Sequence, residues 1–428
     1  MNFKILTFVG SLSLLSYLMR IISLPIFSRL LQPEDYGYFA IGLIIFEIAS
    51  NLSAVGLHHL IIQRKKINRN FLNNVFLISS LFNLILILIG LILMKLLISE
   101  KNIFLYLSIF LLISYIGMIN SYFESISLRY KNNPLVSKSK VFSVIFSIFI
   151  GLIFAFYGFE KWSLIIMLFC EQLIYFLLLL RKYLSNIQNP FLSKLNVNIL
   201  DESKFFFFNQ PLTLANKYID QFLIFYFINI TSLGIYSRAR VINKVVENLI
   251  NTISKQILFR EFSLIRNNEK KTINYFIFNS LIFGIINSII CAIVLTYSNT
   301  LVSIILGNKW IDSARLLELI VFTLFLKSQW RIFNTILQSL NKLKMVNLIQ
   351  ILQLTIVIIS FLFLGVKSVE TIIWILISAQ SISLLLIYLV SSYYYEKLHK
   401  AFLIVVLTNI STFIFIYIIL KQLNISLT

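Results

Sequence analysis

The sequence predicts an all-α polytopic membrane protein: two six-helix lobes followed by one extra C-terminal helix. Three observations carry this. The 428 residues are 59% hydrophobic and 13% charged, with a mean hydropathy of +0.89, far above the range of soluble domains. The apolar residues gather into thirteen stretches, each near the roughly 20 residues that a helix needs to cross a bilayer. The basic residues concentrate in every second connection between those stretches, the pattern that orients membrane helices.

The predicted spans are 5–30, 36–62, 72–98, 103–128, 136–158, 162–182, 204–229, 233–260, 272–297, 313–340, 345–366, 370–394 and 400–423. The first contains Arg20 and Arg29, is long enough to span, and has no small-residue cleavage site, so it reads as a helix of the protein rather than a signal peptide. The longest connection, Tyr183 to Ser203, carries the polar run Asn186-Ile187-Gln188-Asn189-Pro190 and leaves no room for a soluble domain. The expected organisation is therefore an N-terminal lobe over 1–182, a cytosolic linker over 183–203, a C-terminal lobe over 204–395 and an additional helix over 396–428. The longest outer connection, Ser298 to Asp312, is short and lacks a carboxylate pair, which disfavours a membrane polymerase or ligase of lipid-linked sugars.

Orientation follows from the positive charges. Of 37 Lys and Arg, 21 fall in one set of connections, including Arg64-Lys65-Lys66, Arg181-Lys182 and Lys270-Lys271, and 6 in the other. This places the N-terminus in the cytosol and, with an odd number of spans, the C-terminus outside. Trp162, Trp310 and Trp374 fall at outer interfaces, where aromatic rings settle. The net charge of +20 thus reflects topology rather than nucleic-acid binding. Cys170 and Cys291 lie in apolar stretches, and His58-His59 do not have the spacing of a metal pair, so no metal site is expected. No Gly-rich phosphate loop is present. No cofactor is expected, and an H+ or Na+ gradient or the membrane potential is left as the drive.

The remaining 10 basic residues fall inside spans, against six acids: Glu47, Glu124, Glu171, Asp220, Glu247 and Glu318. A charge at mid-bilayer costs about 3 kcal/mol on insertion scales, so such residues face protein or water. The densest group lies between Ser203 and Ile265, read as two helices joined by Thr231-Ser232-Leu233-Gly234. On the second, Arg240, Lys244, Glu247, Asn248, Asn251 and Lys255 recur three or four positions apart, one continuous face. Arg20, Lys217, Arg240, Lys244, Lys327 and Arg331 are the candidate cations of a polar cavity. Glu47, Glu124, Glu171, Asp220, Glu247, Asn248 and Asn251 are the candidate coupling or polar cavity residues. Two bland readings stand beside this one. Lys217 with Asp220, and Lys244 with Glu247, are three apart and suited to pair within one helix; Glu47 and Glu171 are either ion-coupling sites or hydrogen-bonded packing residues. Lys327 and Arg331, one turn apart, need an acid between them, for which Glu124 is a candidate, or an anionic ligand.

A repeat links the two lobes. Arg20 and Gly37 recur as Lys217 and Gly234, and Glu47 as Lys244, all at an offset of 197. A shift of six spans preserves orientation, which predicts parallel halves.

Four stretches carry a family resemblance: Ser28-Arg29-Leu30-Leu31-Gln32-Pro33-Glu34-Asp35-Tyr36-Gly37-Tyr38, Tyr218-Ile219-Asp220-Gln221, Leu233-Gly234-Ile235-Tyr236-Ser237-Arg238-Ala239-Arg240 and Leu306-Gly307-Asn308-Lys309-Trp310. In order and spacing they resemble the polysaccharide biosynthesis family, the Wzx-type O-antigen and capsule flippases of the multidrug/oligosaccharidyl-lipid/polysaccharide exporter superfamily. The resemblance implies two six-helix lobes in a V around a central cavity lined by the first, second, seventh and eighth helices. It implies alternating access in a bacterial plasma membrane and, as cargo, an undecaprenyl-diphosphate-linked oligosaccharide, with a polysaccharide polymerase and glycosyltransferases as partners. For the diphosphate of such a cargo Arg20, Lys217, Arg240, Lys244, Lys327 and Arg331 are the candidate partners, since Arg holds phosphate oxygens in bidentate fashion and Lys acts as a point charge. The family has twelve or fourteen spans where this chain reads as thirteen. The competing function is an ion-coupled exporter of small amphiphiles on the same fold, and a non-transporting scaffold is a third. The excess of intramembrane cations over acids favours an anionic cargo.

Overall fold

In the computed structural model the described backbone covers residues 3–54, 56–64, 67–98, 100–130, 132–183, 199–365, 368–395 and 397–427. Within it, the side chains of 3–10, 13, 59, 63, 97, 183, 200–209, 245–246, 248–257, 259–260 and 423–427 lie outside the described set. Asn248 and Asn251 are among these, as is most of the expected linker. The chain forms two compact units, Met1–Tyr218 and Ile219–Thr428.

The first unit holds α1 (Phe3–Leu30), α2 (Pro33–Leu52), α3 (Leu57–Gln63), α4 (Arg69–Leu97), α5 (Lys101–Arg129), α6 (Asn133–Phe156), α7 (Glu160–Tyr183) and the larger part of α8 (Ile199–Phe227). The second holds the rest of α8, α9 (Ile230–Ile265), α10 (Glu269–Ile305), a 3-10 turn at Asn308–Trp310, α11 (Asp312–Ser339), α12 (Leu343–Leu364), α13 (Val369–Tyr394) and α14 (Leu398–Leu427). Every described element is helical. Side-chain caps set several starts: Asn68, Asn229 and Asn268 accept from the backbone three residues on, at 2.9, 2.7 and 3.0 Å. Pro33 opens α2, where Asp35 reaches back to the Gln32 N–H at 2.9 Å.

Three boundaries differ from expectation. The second span divides into α2 and α3 because Gly56 takes a left-handed φ of 71° and ends the helical path. The connection beginning at Ser298 is mostly helix, since α10 continues to Ile305 past a non-helical Tyr297. Thr231–Gly234 is the first turn of α9, and the joint with α8 is Ile228–Asn229.

Eight helices among the described residues are long and apolar enough to cross a membrane: α4–α7, α10 and α12–α14. The protein is a multi-pass membrane protein. α2 and α11, with 20 and 28 residues, have spanning length but carry Glu47 and the Lys327–Arg331 pair inside apolar runs.

The internal packing of the first unit recurs in the second. α5 is the hub of one, packing on α2, α4 and α7, while α6 packs on α7 and α1. α11 is the hub of the other, packing on α9, α10 and α13, while α12 packs on α13 and meets α8 through the Phe227–Phe361 rings at 4.3 Å. Each hub is clamped in the same way: buried Asn83 of α4 donates to Ser114 of α5 at 3.4 Å, and buried Asn287 of α10 to Ser328 of α11 at 2.8 Å. The repeat that the sequence shows at its charged positions is thus a repeat of architecture.

The extra helix α14 lies on α10. Gly284 makes the approach possible, as a Cβ there would sit 1.8 Å from Asn409 Oδ1. One turn on, Ser288 and Thr412 hydroxyls are 3.4 Å apart, so the seam has the small-xxx-small spacing of close membrane helix pairs. Gly284→Leu is expected to push α14 away and cost about 1–3 kcal/mol, read as a lower unfolding midpoint of the purified protein in detergent. A wild-type midpoint would mean that the two helices do not pack closely.

Candidate functional site: compensated charges within the spans

In the first unit, Arg20 of α1 is ion-paired with Glu171 of α7, and Lys217 of α8 with Glu47 of α2. The cations keep part of their surface, 44% of the Arg20 side chain and 35% of Lys217. Glu124 of α5 accepts from the Tyr175 hydroxyl at 3.4 Å.

In the second unit, Asp220 of α8 is bound twice from α9. Tyr236 donates its hydroxyl at 2.6 Å and Arg240 its guanidinium at 2.9 Å. The geometry follows from the hairpin. Asp220 and Tyr236 are equidistant in sequence from the Ile228 turn, so they face each other across it, and Arg240 stands one turn beyond Tyr236. Further along α9, Glu247 meets two cations of α11, Lys327 at 3.1 Å and Arg331 at 3.8 Å. One carboxylate thus serves two positive charges, and the Arg331 Nη1 atom is buried without a hydrogen-bond partner. Lys244 is exposed.

The structure decides among the pairings left open by the sequence. Lys217 bonds to Glu47, not to Asp220 three residues away, and Asp220 and Glu247 take partners across helices. Glu247, not Glu124, separates Lys327 from Arg331. Glu47 and Glu171 are counter-ions of Lys217 and Arg20. The role of Tyr236 was not assigned from sequence, although the equidistance rule for hairpins would have found it. His58 is buried against Tyr122, ring centroids 6.2 Å apart. Among the described residues no cluster of His, Cys, Asp and Glu has the geometry to hold a metal.

Solved structures share this all-helical fold. The chain is similar to the lipid II flippase MurJ in an inward closed conformation, at 13% identity over 97% of this chain and 98% of that one, with a TM-score of 0.71. It is similar to a multidrug resistance MATE family transporter of the MOP superfamily, inward-facing, at 12% identity over 90% and 96%, TM-score 0.69. A MOP superfamily transporter from Pyrococcus furiosus, described as having a binding pocket of reverse polarity, gives 12% identity over 92% and 94%, TM-score 0.59. No curated protein sequence matches the chain. Residues 26–315 match the family described as polysaccharide biosynthesis protein. The chain belongs to that family.

Removing the shared acid tests the compensation. Glu247→Ala leaves Lys327 and Arg331 as like charges one turn apart and is expected to cost about 1–3 kcal/mol, read as a lower unfolding midpoint. Adding Lys327→Met should recover most of the loss. An unchanged midpoint in Glu247→Ala would show that the cations need no acid.

Proposed function

We propose that the protein is a flippase that moves an undecaprenyl-diphosphate-linked oligosaccharide from the inner to the outer leaflet of a bacterial plasma membrane by alternating access, for O-antigen, capsule or exopolysaccharide synthesis. Membership of the polysaccharide biosynthesis family supports the setting, and a fold shared with a lipid II flippase supports the mode of transport. The observation that carries the reading is the surplus of positive charge at Glu247, where one carboxylate faces Lys327 and Arg331. A second anion satisfies this surplus, and a diphosphate offers one with oxygens suited to guanidinium. Arg20 and Lys217, paired yet partly exposed, have surface left for a transient anionic guest. The N-terminus is cytosolic in this reading, an ion gradient or the membrane potential supplies the drive, and a polymerase and glycosyltransferases act before and after it.

The alternative is an ion-coupled exporter of small amphiphiles, favoured by the likeness to a multidrug transporter. An organic-cation cargo needs a surplus of acid, opposite to what surrounds Glu247.

Charge exchange separates a pathway role of Lys217 from a merely structural one. Lys217→Ala is expected to abolish surface polysaccharide in a strain lacking the native copy, at unchanged protein abundance. The exchanged pair Lys217→Glu with Glu47→Lys keeps the ion pair and should keep abundance, while transport stays lost. Recovery of polysaccharide by the exchange would remove Lys217 from the pathway.

A further inference from the structure

We propose that a groove in the first unit, between α1, α5 and α6, binds the phosphoethanolamine head group of a membrane lipid. The groove is a cavity of about 200 Å³ lined by Ser16 of α1, Glu124 and Leu128 of α5, and Asn133, Ser137 and Lys140 of α6. The lining follows from helical pitch. Asn133, Ser137 and Lys140 fall at i, i+4 and i+7 on one face of α6, and Glu124 and Leu128 at i and i+4 on α5.

Two opposite charges share this cavity without meeting. Among the described residues Glu124 has one hydrogen bond, the long one from the neutral Tyr175 hydroxyl at 3.4 Å, and neither Glu124 nor Lys140 forms an ion pair. Asn133 Oδ1 is buried and has no donor. A carboxylate and a buried amide oxygen therefore await a donor, and the Lys140 ammonium awaits an acceptor. A carboxylate left this way inside a spanning helix is costly. A zwitterion with a primary ammonium at one end and a phosphate at the other completes both halves at once.

Glu124 lies five residues before the end of α5, about 7.5 Å in at 1.5 Å per residue, and Asn133 is the first residue of α6. The groove therefore lies near the joined ends of both helices, where lipid head groups lie. Both α5 and α6 are long and apolar enough to cross the membrane, and Leu128, which lines the groove, is exposed as surface for an acyl chain. The chemistry discriminates among lipids. A quaternary ammonium has no N–H to give Glu124 or Asn133, and a glycerol head group has no charge for the carboxylate.

Native mass spectrometry of the purified full chain in detergent tests this, with dihexanoyl phosphatidylethanolamine, phosphatidylglycerol and phosphatidylcholine at equal concentration. The ethanolamine lipid should be retained about tenfold over the others, the worth of one charge-assisted hydrogen bond. Glu124→Gln leaves an acceptor for Tyr175 while removing the charge, and should bring retention of that lipid down to that of phosphatidylglycerol. Lys140→Gln should lower retention of all three. Equal retention by the unmodified chain, or a preference that survives Glu124→Gln, overturns the proposal. Free phosphoethanolamine competing as well as the lipid would assign the groove to a soluble ligand and overturn the lipid assignment. None of these readings involves polysaccharide transport, so their failure is distinct from failure of the flippase reading.

Discussion

The constraint on which this structure depends is that an ionised side chain placed inside a membrane-spanning helix must find its counter-charge on another helix. At about 3 kcal/mol per uncompensated charge at mid-bilayer, the chain cannot carry Arg20, Lys217, Arg240, Lys327 and Arg331 unless the fold brings acids to them. It does so through tertiary pairs: α1 to α7, α8 to α2, α9 to α8 and α11 to α9. Buried ion pairs contribute little net stability compared with apolar packing, because desolvation offsets most of the attraction. Their effect is on specificity. A helix carrying Asp220 can dock in few ways, since only some of them bring Arg240 and Tyr236 to the carboxylate.

The two units solve the packing problem twice with one plan. In each, the fourth span is the hub, and a buried Asn on the third donates to a Ser on the hub. These amides are expensive in hydrocarbon and hold the hub in register wherever they are bonded. Between the repeats the charges change while the framework stays. The position that carries Arg20 in one carries Lys217 in the other, and that of Glu47 carries Lys244. The two sequence repeats thus share a framework and differ in the charges placed on it. The added helix α14 stands outside this plan, held to α10 by the Gly284 notch.

Much of this was legible in the chain itself. Spans declare themselves through composition, because a bilayer admits only helices whose backbone bonds are closed internally and whose surface is apolar. Twelve of the thirteen predicted stretches correspond to single helices, and the thirteenth is split by Gly56, whose left-handed backbone no hydropathy pattern reveals. The charged positions were legible for the same reason, since a lysine in an apolar run is conspicuous. Their partners were not. Spacing along one helix suggested Lys217 with Asp220 and Lys244 with Glu247, yet local proximity lost to contacts between residues as far apart as 47 and 217.

The sequence by itself determined that the chain is an all-helical membrane protein, where its helices lie, that it repeats, and which residues bear charge inside the spans. Each of these depends on local composition read against the bilayer. Only the tertiary structure decided which acid neutralises which cation, that Glu247 is shared while Asp220 is doubly bound, and that Glu124 and Lys140 line one cavity without touching. Those outcomes depend on which helix faces which, a choice made by the sum of side-chain packing over the whole unit, and no single stretch of sequence contains it.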